Sequence, residues 1–194
     1  RLTVSALASL SDASVLVLSD YNKGTVTDDG AQQLISAANG NGIPTICDPK
    51  LTGLNRTEGA TCVLFEVRGL ELTRRRLGLE TSLETACQLI DTYHWEALVV
   101  LGGTQGLFLY TDHEEYHIPC MLGAARQTIG LHDAAAVAMA AALSQGTTLH
   151  DAATLAHAAC ELILGAEEGR EVLDRRTLSA SLDDRAWQMQ VSDR

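Results

Sequence analysis

Basic charge is scarce in this chain. Fourteen Lys and Arg stand against 25 Asp and Glu, a formal net charge of -11, whereas a nucleic-acid surface needs clustered cations to neutralise phosphates. The one basic run, Arg74-Arg75-Arg76, is too short to reverse that balance and reads as a solvated face. Long apolar runs are missing too: none reaches the roughly 20 residues that span a bilayer. The N-terminus also lacks the basic, apolar and small-residue order of a secretory signal. Neither a nucleic-acid nor a membrane partner is expected. The five cysteines (Cys47, Cys62, Cys87, Cys120, Cys160) are odd in number and scattered. None has zinc spacing, so buried thiols in a reducing cytoplasm are the simplest reading. The six histidines are equally dispersed, and His113 and His117 fall in a hairpin rather than on one helical face, so no protein-built metal site is expected. A G-x-S-x-G elbow, a Walker loop and a G-x-G-x-x-G fingerprint are all absent.

What remains is an ordinary globular composition. With 194 residues, 46% of them hydrophobic and 20% charged, the chain can bury a core without staples. "SVLVLS" (14–19) reads as a buried strand leaving through the polar "DYNKG". Thr27-Asp28-Asp29 then supplies a cap and an acidic first turn for a helix ending at Gly40 and Gly42. "IPTIC" (43–47), "ATCVLF" (60–65) and "EALVVL" (96–101) are further strand candidates. Thr81 to Glu84 has capping-box spacing before a helix with Leu83, Ala86, Cys87 and Ile90 on one face. After the Gly-rich turn "GGTQG", "LFLY" and "EYHI" read as hairpin strands. The Ala-rich run from Ala134 to Leu143 is apolar all round and is expected to be a buried helix. Asp151 can cap another helix, running to about Leu164. Apolar strands alternating with helices imply an α/β fold whose mostly parallel sheet is covered on both faces. A polar tail is expected from Ser181 to the end.

In open α/β sheets ligands sit beyond the carboxyl ends of the strands. Those positions hold "SDYNKG", "DPK", "GGTQG" and "GLHD", so Lys23 and Lys50 are candidates for holding an anion such as phosphate. "GLHD" (130–133) carries the sharpest case. A Gly turn opening a helix exposes unpaired N–H groups at the positive end of the dipole. An Asp in that first turn could take a proton from a hydroxyl while those N–H groups stabilise a transferring phosphoryl group. Asp133 could equally be an ordinary N-terminal cap, and the residues by themselves favour that plainer alternative.

The order "VLVLSDYNKG", "GIPTICDPK", "EGATCVLFE", "ALVVLGGTQGLFLY", "YHIP" and "TIGLHDAAAVAMAAALSQGTTLHDAATLAHAA" resembles the C-terminal part of the ribokinase-like (PfkB) carbohydrate kinases. Within them it is most similar to the heptose-7-phosphate kinase type of ADP-heptose synthesis, in which L-S-D-Y-x-K-G and D-P-K occur at these places. The resemblance covers roughly residues 11–165. It implies a three-layer αβα ribokinase-like fold over residues 1–180, a polar tail at 181–194, and magnesium-dependent transfer of the γ-phosphate of ATP to a sugar hydroxyl. In the family's D-x-x-G-A-G-D signature the last Asp is the base and backbone amides form the anion hole. Asp133 then corresponds to the base and Gly130, Leu131 and His132 to the anion hole. Gly103, Gln105 and Gly106 match the nucleotide-binding T-R-G-E-Q-G stretch, with Lys23 and Lys50 near phosphate.

Several positions depart from the pattern. Gln127 replaces the first Asp of the signature, Leu131 its Ala and His132 its second Gly. The family's N-x-x-E falls on Glu66-Val67-Arg68-Gly69, where neither position matches. If position 132 required positive φ, a non-Gly residue there would cost roughly 1 to 2 kcal/mol. The lid-bearing N-terminal portion of the family has no counterpart in the sequence, which starts at Arg1. A fragment of a longer kinase, or a kinase lacking its lid, is therefore expected, with a homodimer or pairing with a lid-bearing segment as the assembly. Two functions stay open: a sugar or sugar-phosphate kinase, and a degenerate relative that binds nucleotide or a partner without turnover.

Overall fold

A computed structural model of the protein describes residues 2–167 and 174–192, with backbone alone from residue 184 onward. Helix α1 (Leu2–Ser9) precedes strand β1 (Leu16–Asp20), helix α2 (Asp28–Gly40), strand β2 (Thr45–Pro49) and a 3-10 segment (Leu51–Thr57). Next come β3 (Cys62–Glu66), α3 (Val67–Leu77), α4 (Ser82–Tyr93), β4 (Ala97–Leu101), and the hairpin β5 (Leu107–Tyr110) and β6 (Glu115–Ile118). Helices α5 (Leu131–Leu143), α6 (Leu149–Gly165) and α7 (Arg175–Ser192) complete the described chain. The six strands form one sheet in sequential order, parallel from β1 to β4 and antiparallel from β4 to β6.

Successive strand residues point to opposite faces, and here both faces are apolar. Cys62 and Leu64 of β3, with Ala97, Val99 and Leu101 of β4, pack beneath α5 and α6. Val63, Phe65, Leu98 and Val100 pack on the other side with Leu70 of α3 and Ala86, Leu89 and Ile90 of α4. This is the expected three-layer arrangement. The small residues of α5 allow its close approach: Ala135, Ala138 and Met139 are almost wholly buried. The helix is not buried all round, however. Val137 is 64% exposed, because the sheet and α6 cover only part of the helix circumference.

The local signals behave as capping chemistry requires. Thr27 accepts from the Gly30 amide, and Thr81 and Glu84 complete a reciprocal capping box. Helix α6 is capped by Thr148, whose hydroxyl accepts from the Asp151 amide; Asp151 therefore sits in the first turn rather than at the cap. Strand β2 lies two residues later than its apolar run suggests, because pairing with β1 continues through Ser19 with Asp48 and Asp20 with Pro49. Pairing of β2 with β3 is confined to Ile46 and Cys47, so Pro49 interrupts no ladder on that side. Helices α1 and α3 were not anticipated. In α3 the Arg74–Arg76 run forms the last turn, before Gly78 at φ 70°. Hydrogen bonds from Arg74 and then Arg75 hold the Glu71 carboxyl down to about 2. The polar stretch from Ser181 continues α7, whose start is fixed by the Asp174 carboxylate accepting from the Thr177 amide and by Leu178 packing on the α5–α6 core. Residues 193–194 of the expected tail lie outside the described residues. Cys47, Cys62 and Cys160 are buried thiols, whereas Cys87 and Cys120 are only partly covered.

The carboxyl end of β1 is fastened by Arg56. Its guanidinium donates to Asp20 at 2.7 Å, to Asp28 at 2.6 Å and to Asn22 at 3.2 Å, joining β1, α2 and the 3-10 segment. The Asp20 carboxylate is only 6% exposed, and Arg56 is its charged partner. Replacing Arg56→Met strands that charge. Urea unfolding at neutral pH is expected to show a lower midpoint, with part recovered in the Arg56→Met, Asp20→Asn double variant.

Candidate functional site

The carboxyl ends of β2, β3 and β4 and the N-terminus of α5 meet on one rim. Two adjoining clefts open there. The smaller, about 190 Å³, is lined by Asp48, Lys50, Glu66, Arg68 and His132 among others. The larger, about 310 Å³, shares Glu66, Arg68 and His132 and adds Gly102, Gly103, Gln105, Thr128 and Leu131. The mixed α/β topology puts these loops together for the reason anticipated: parallel strands end on one side of the sheet, and their connections start there.

Gly130 is the N-cap of α5, at φ 82° and with no side-chain cap. The helical ladder begins with the Ala134 amide donating to the Gly130 carbonyl. Leu131 donates to Thr128 across the turn at 3.3 Å, and its side chain is buried in the core, so its N–H is already committed. Among the described residues the amides of His132 and Asp133 have no such partner, as expected of a helix first turn. His132 is absent from the non-glycine residues with positive φ, which among the described residues are Asn22 and His94. Replacing the family's second Gly therefore carries no left-handed backbone cost here.

The His132 ring is the centre of the rim. Its Nδ1 lies 2.8 Å from the Asp48 carboxylate, and its Nε2 lies 3.4 Å from Glu66. Nε2 is itself buried and makes no hydrogen bond; Glu66 is within ion-pair reach only. Burial opposes protonation of the ring, but the hydrogen bond to Asp48 and the charges of Asp48 and Glu66 outweigh it, and Lys50 opposes them weakly. The net effect raises the imidazole above its ordinary value.

The other sequence candidates divide. Asp133 stands exposed on the first turn of α5 beside the clefts and lines neither. Lys50 reaches the smaller cleft, with its ammonium 5.6 Å from the centre of the Tyr21 ring. Lys23 is exposed in the loop after β1 and lines neither cleft. Gly103 and Gln105 line the larger cleft, and the His117 ring holds the Gln105 carbonyl at 2.8 Å. Gly106 instead sits at φ 97° against the Ile118–Cys120 backbone, where a Cβ would collide with the Ile118 carbonyl oxygen. Sequence reasoning missed Asp48, Glu66 and Arg68 as site residues. Their signal was position: each lies at or just beyond the end of a central strand.

This unpartnered, dipole-positive turn, with Lys50 and Arg68 on its rim and backbone glycines in its wall, suits phosphate. No group of three or more His, Cys, Asp or Glu able to hold a metal occurs among the described residues. Comparison with known proteins agrees with the architecture. The pattern of pfkB family carbohydrate kinases matches residues 2–175. The chain belongs to this family. Bifunctional protein HldE of Shewanella piezotolerans is 32% identical over 182 residues, which are 93% of this chain and 38% of that protein. HldE of Escherichia fergusonii is 32% identical over 158 residues, 80% of this chain and 33% of that protein. The chain thus spans little more than a third of these relatives. Thermotoga maritima ribokinase superposes with a TM-score of 0.74 at 18% identity, over 91% of this chain and 59% of that one. Arabidopsis thaliana ribokinase, complexed with ribose and ATP, gives 0.72 at 20%, over 92% and 58%. Identities this low show a shared ribokinase-like fold. No helix among the described residues is long and apolar enough to cross a membrane.

The raised His132 ring makes this PfkB site pH-sensitive in stability. A base whose folded value exceeds its unfolded value, about 6.5, contributes fully below that value and loses the contribution as pH rises through the folded one. Urea unfolding of wild type and His132→Gln is therefore expected to show a stability gap at pH 5.5 that narrows by pH 8.5. A gap that widens with pH would contradict the carboxylate pairing.

Proposed function

We propose that this chain forms the C-terminal part of a sugar-phosphate kinase of the heptose-7-phosphate type, transferring the γ-phosphate of ATP to a sugar hydroxyl in ADP-heptose synthesis. The observation that carries this reading is the left-handed, uncapped Gly130 turn, which places Asp133 in the first turn of α5 beside the two clefts. Membership of the PfkB family supports it, as does similarity to the bifunctional HldE proteins.

In this reading the Asp133 carboxylate takes the proton of the acceptor hydroxyl. The first-turn amides of His132 and Asp133 at the Gly130 turn hold the charge that develops on phosphate oxygens. Lys50 adds positive charge from the end of β2, and Lys23, which lines neither cleft, would add more from the exposed loop after β1. Gly103 and Gln105 border the nucleotide while Gly106 shapes their turn. ATP would supply the phosphoryl group. Magnesium would be held largely by phosphate oxygens and water, since it retains hydration readily and seldom needs an all-protein cage. The assembly in this reading is a homodimer or a pairing with a lid-bearing segment, working in the cytoplasm.

The test is ADP release from ATP, magnesium and heptose-7-phosphate, with nucleotide binding followed by calorimetry. Asp133→Asn is expected to lower turnover by about 10² to 10⁴ while leaving ATP binding within a few-fold. Equal rates for the two proteins would remove Asp133 from the chemistry, and ATP binding without any turnover in wild type would favour a binding-only domain.

A further inference from the structure

The kinase pattern leaves one feature of the rim unexplained. Two carboxylates, Asp48 at the end of β2 and Glu66 at the end of β3, border the clefts in which an anion is to bind. Two negative charges at such a place repel phosphate; Asp48 is largely covered and poorly screened, whereas Glu66 is mostly exposed and better screened by solvent. The residue between them is His132, where the family has glycine.

We propose that His132 is a positioning residue that ties the first turn of α5 to both strand-end carboxylates and, as an imidazolium, offsets their charge so that a phosphate-like anion binds at the Gly130 turn. This inference rests on the kinase reading for the place of the anion, but not on turnover. Asp48 takes Nδ1 at 2.8 Å, which fixes the ring plane. Nε2 is left buried without a hydrogen bond, 3.4 Å from Glu66, in the wall shared by both clefts. Both ring nitrogens thus face carboxylates, and an N–H on each requires the cation. The charged groups bordering the ring are Asp48 and Lys50 from the β2 end, Glu66 from β3, Arg68 from α3 and the adjacent Asp133 of α5; the β4–β5 turn contributes none. With His132 charged these six groups sum to zero, and with it neutral they sum to minus one. Anion binding therefore weakens as pH rises and the ring loses its proton. A glycine at this position would lack both the tether and the switch.

The experiment uses the full chain and inorganic sulfate, whose charge is constant across the range studied. The ring nitrogens of His132 are followed by nitrogen-15 NMR from pH 5 to 9, without and with sulfate. Sulfate is expected to move the His132 titration upward, and its affinity to fall between pH 6 and pH 8.5, roughly tenfold for each unit of that displacement. His132→Gln, which keeps a polar side chain of similar reach, is expected to bind sulfate weakly and with little pH dependence; its folding is checked by near-UV circular dichroism. An unmoved His132 titration in the wild-type protein, or unchanged pH dependence in His132→Gln, overturns the proposal. The outcomes are separable from the parent reading: a pH-linked sulfate site without phosphotransfer to any sugar phosphate leaves the switch standing and removes the kinase assignment. Turnover with a pH-independent sulfate site does the reverse.

Discussion

The contact on which the rim depends is that between the His132 imidazole and the Asp48 carboxylate. It joins the start of α5 to the end of β2 across 84 residues of sequence, and it does so where the helix dipole, two acidic strand ends and two basic side chains converge. A helix N-terminus placed over a sheet by apolar packing alone could slide along the sheet. A 2.8 Å charge-assisted bond fixes its first turn. The amides of that turn, the exposed Asp133 and the walls of both clefts take their positions from it.

Electrostatics and packing play different roles in this chain. Packing sets the layers: alternate residues of β3 and β4 fill two separate cores, one under α5 and α6 and one under α3 and α4. Charge fastens the strand ends. Arg56 holds the end of β1 through Asp20, and His132 holds the end of β2 through Asp48. In both cases a carboxylate at a strand terminus meets a nitrogen donor from a segment that follows much later, which closes the loop between them. An acidic protein with few basic residues therefore places Arg56 and His132 at the side of the sheet that ligands approach.

The pfkB family connection gives these features a chemical context. Its signature survives here at Gly130 and Asp133, which supply the turn and the carboxylate, and changes at Leu131 and His132. Structure explains why the changes are tolerated. Leu131 points into the core beneath the sheet, and His132 adopts ordinary helical backbone while its side chain finds partners on two neighbouring strands.

The sequence alone determined the elements whose causes are local. Caps at Thr27 and Thr81, the β-branched strands and the small residues of α5 depend on neighbours a few positions away, so periodicity and capping chemistry revealed the α/β order and the helix that opens at Gly130. Boundaries were less legible where partners decide them: β2 extends through Pro49 because β1 lies beside it, and Val137 is exposed because only two layers reach α5. The helix spanning Val67–Leu77 escaped notice because Leu70 is its one buried residue among many charged ones, so its apolar contact with the sheet is narrow. The site was half readable. Gly130 and Asp133 stood together in sequence, whereas Asp48, Glu66 and His132 are brought together only by the parallel sheet. Side-chain convergence of that kind is a property of strand order and register, which no local pattern encodes, and the tertiary structure alone decided it.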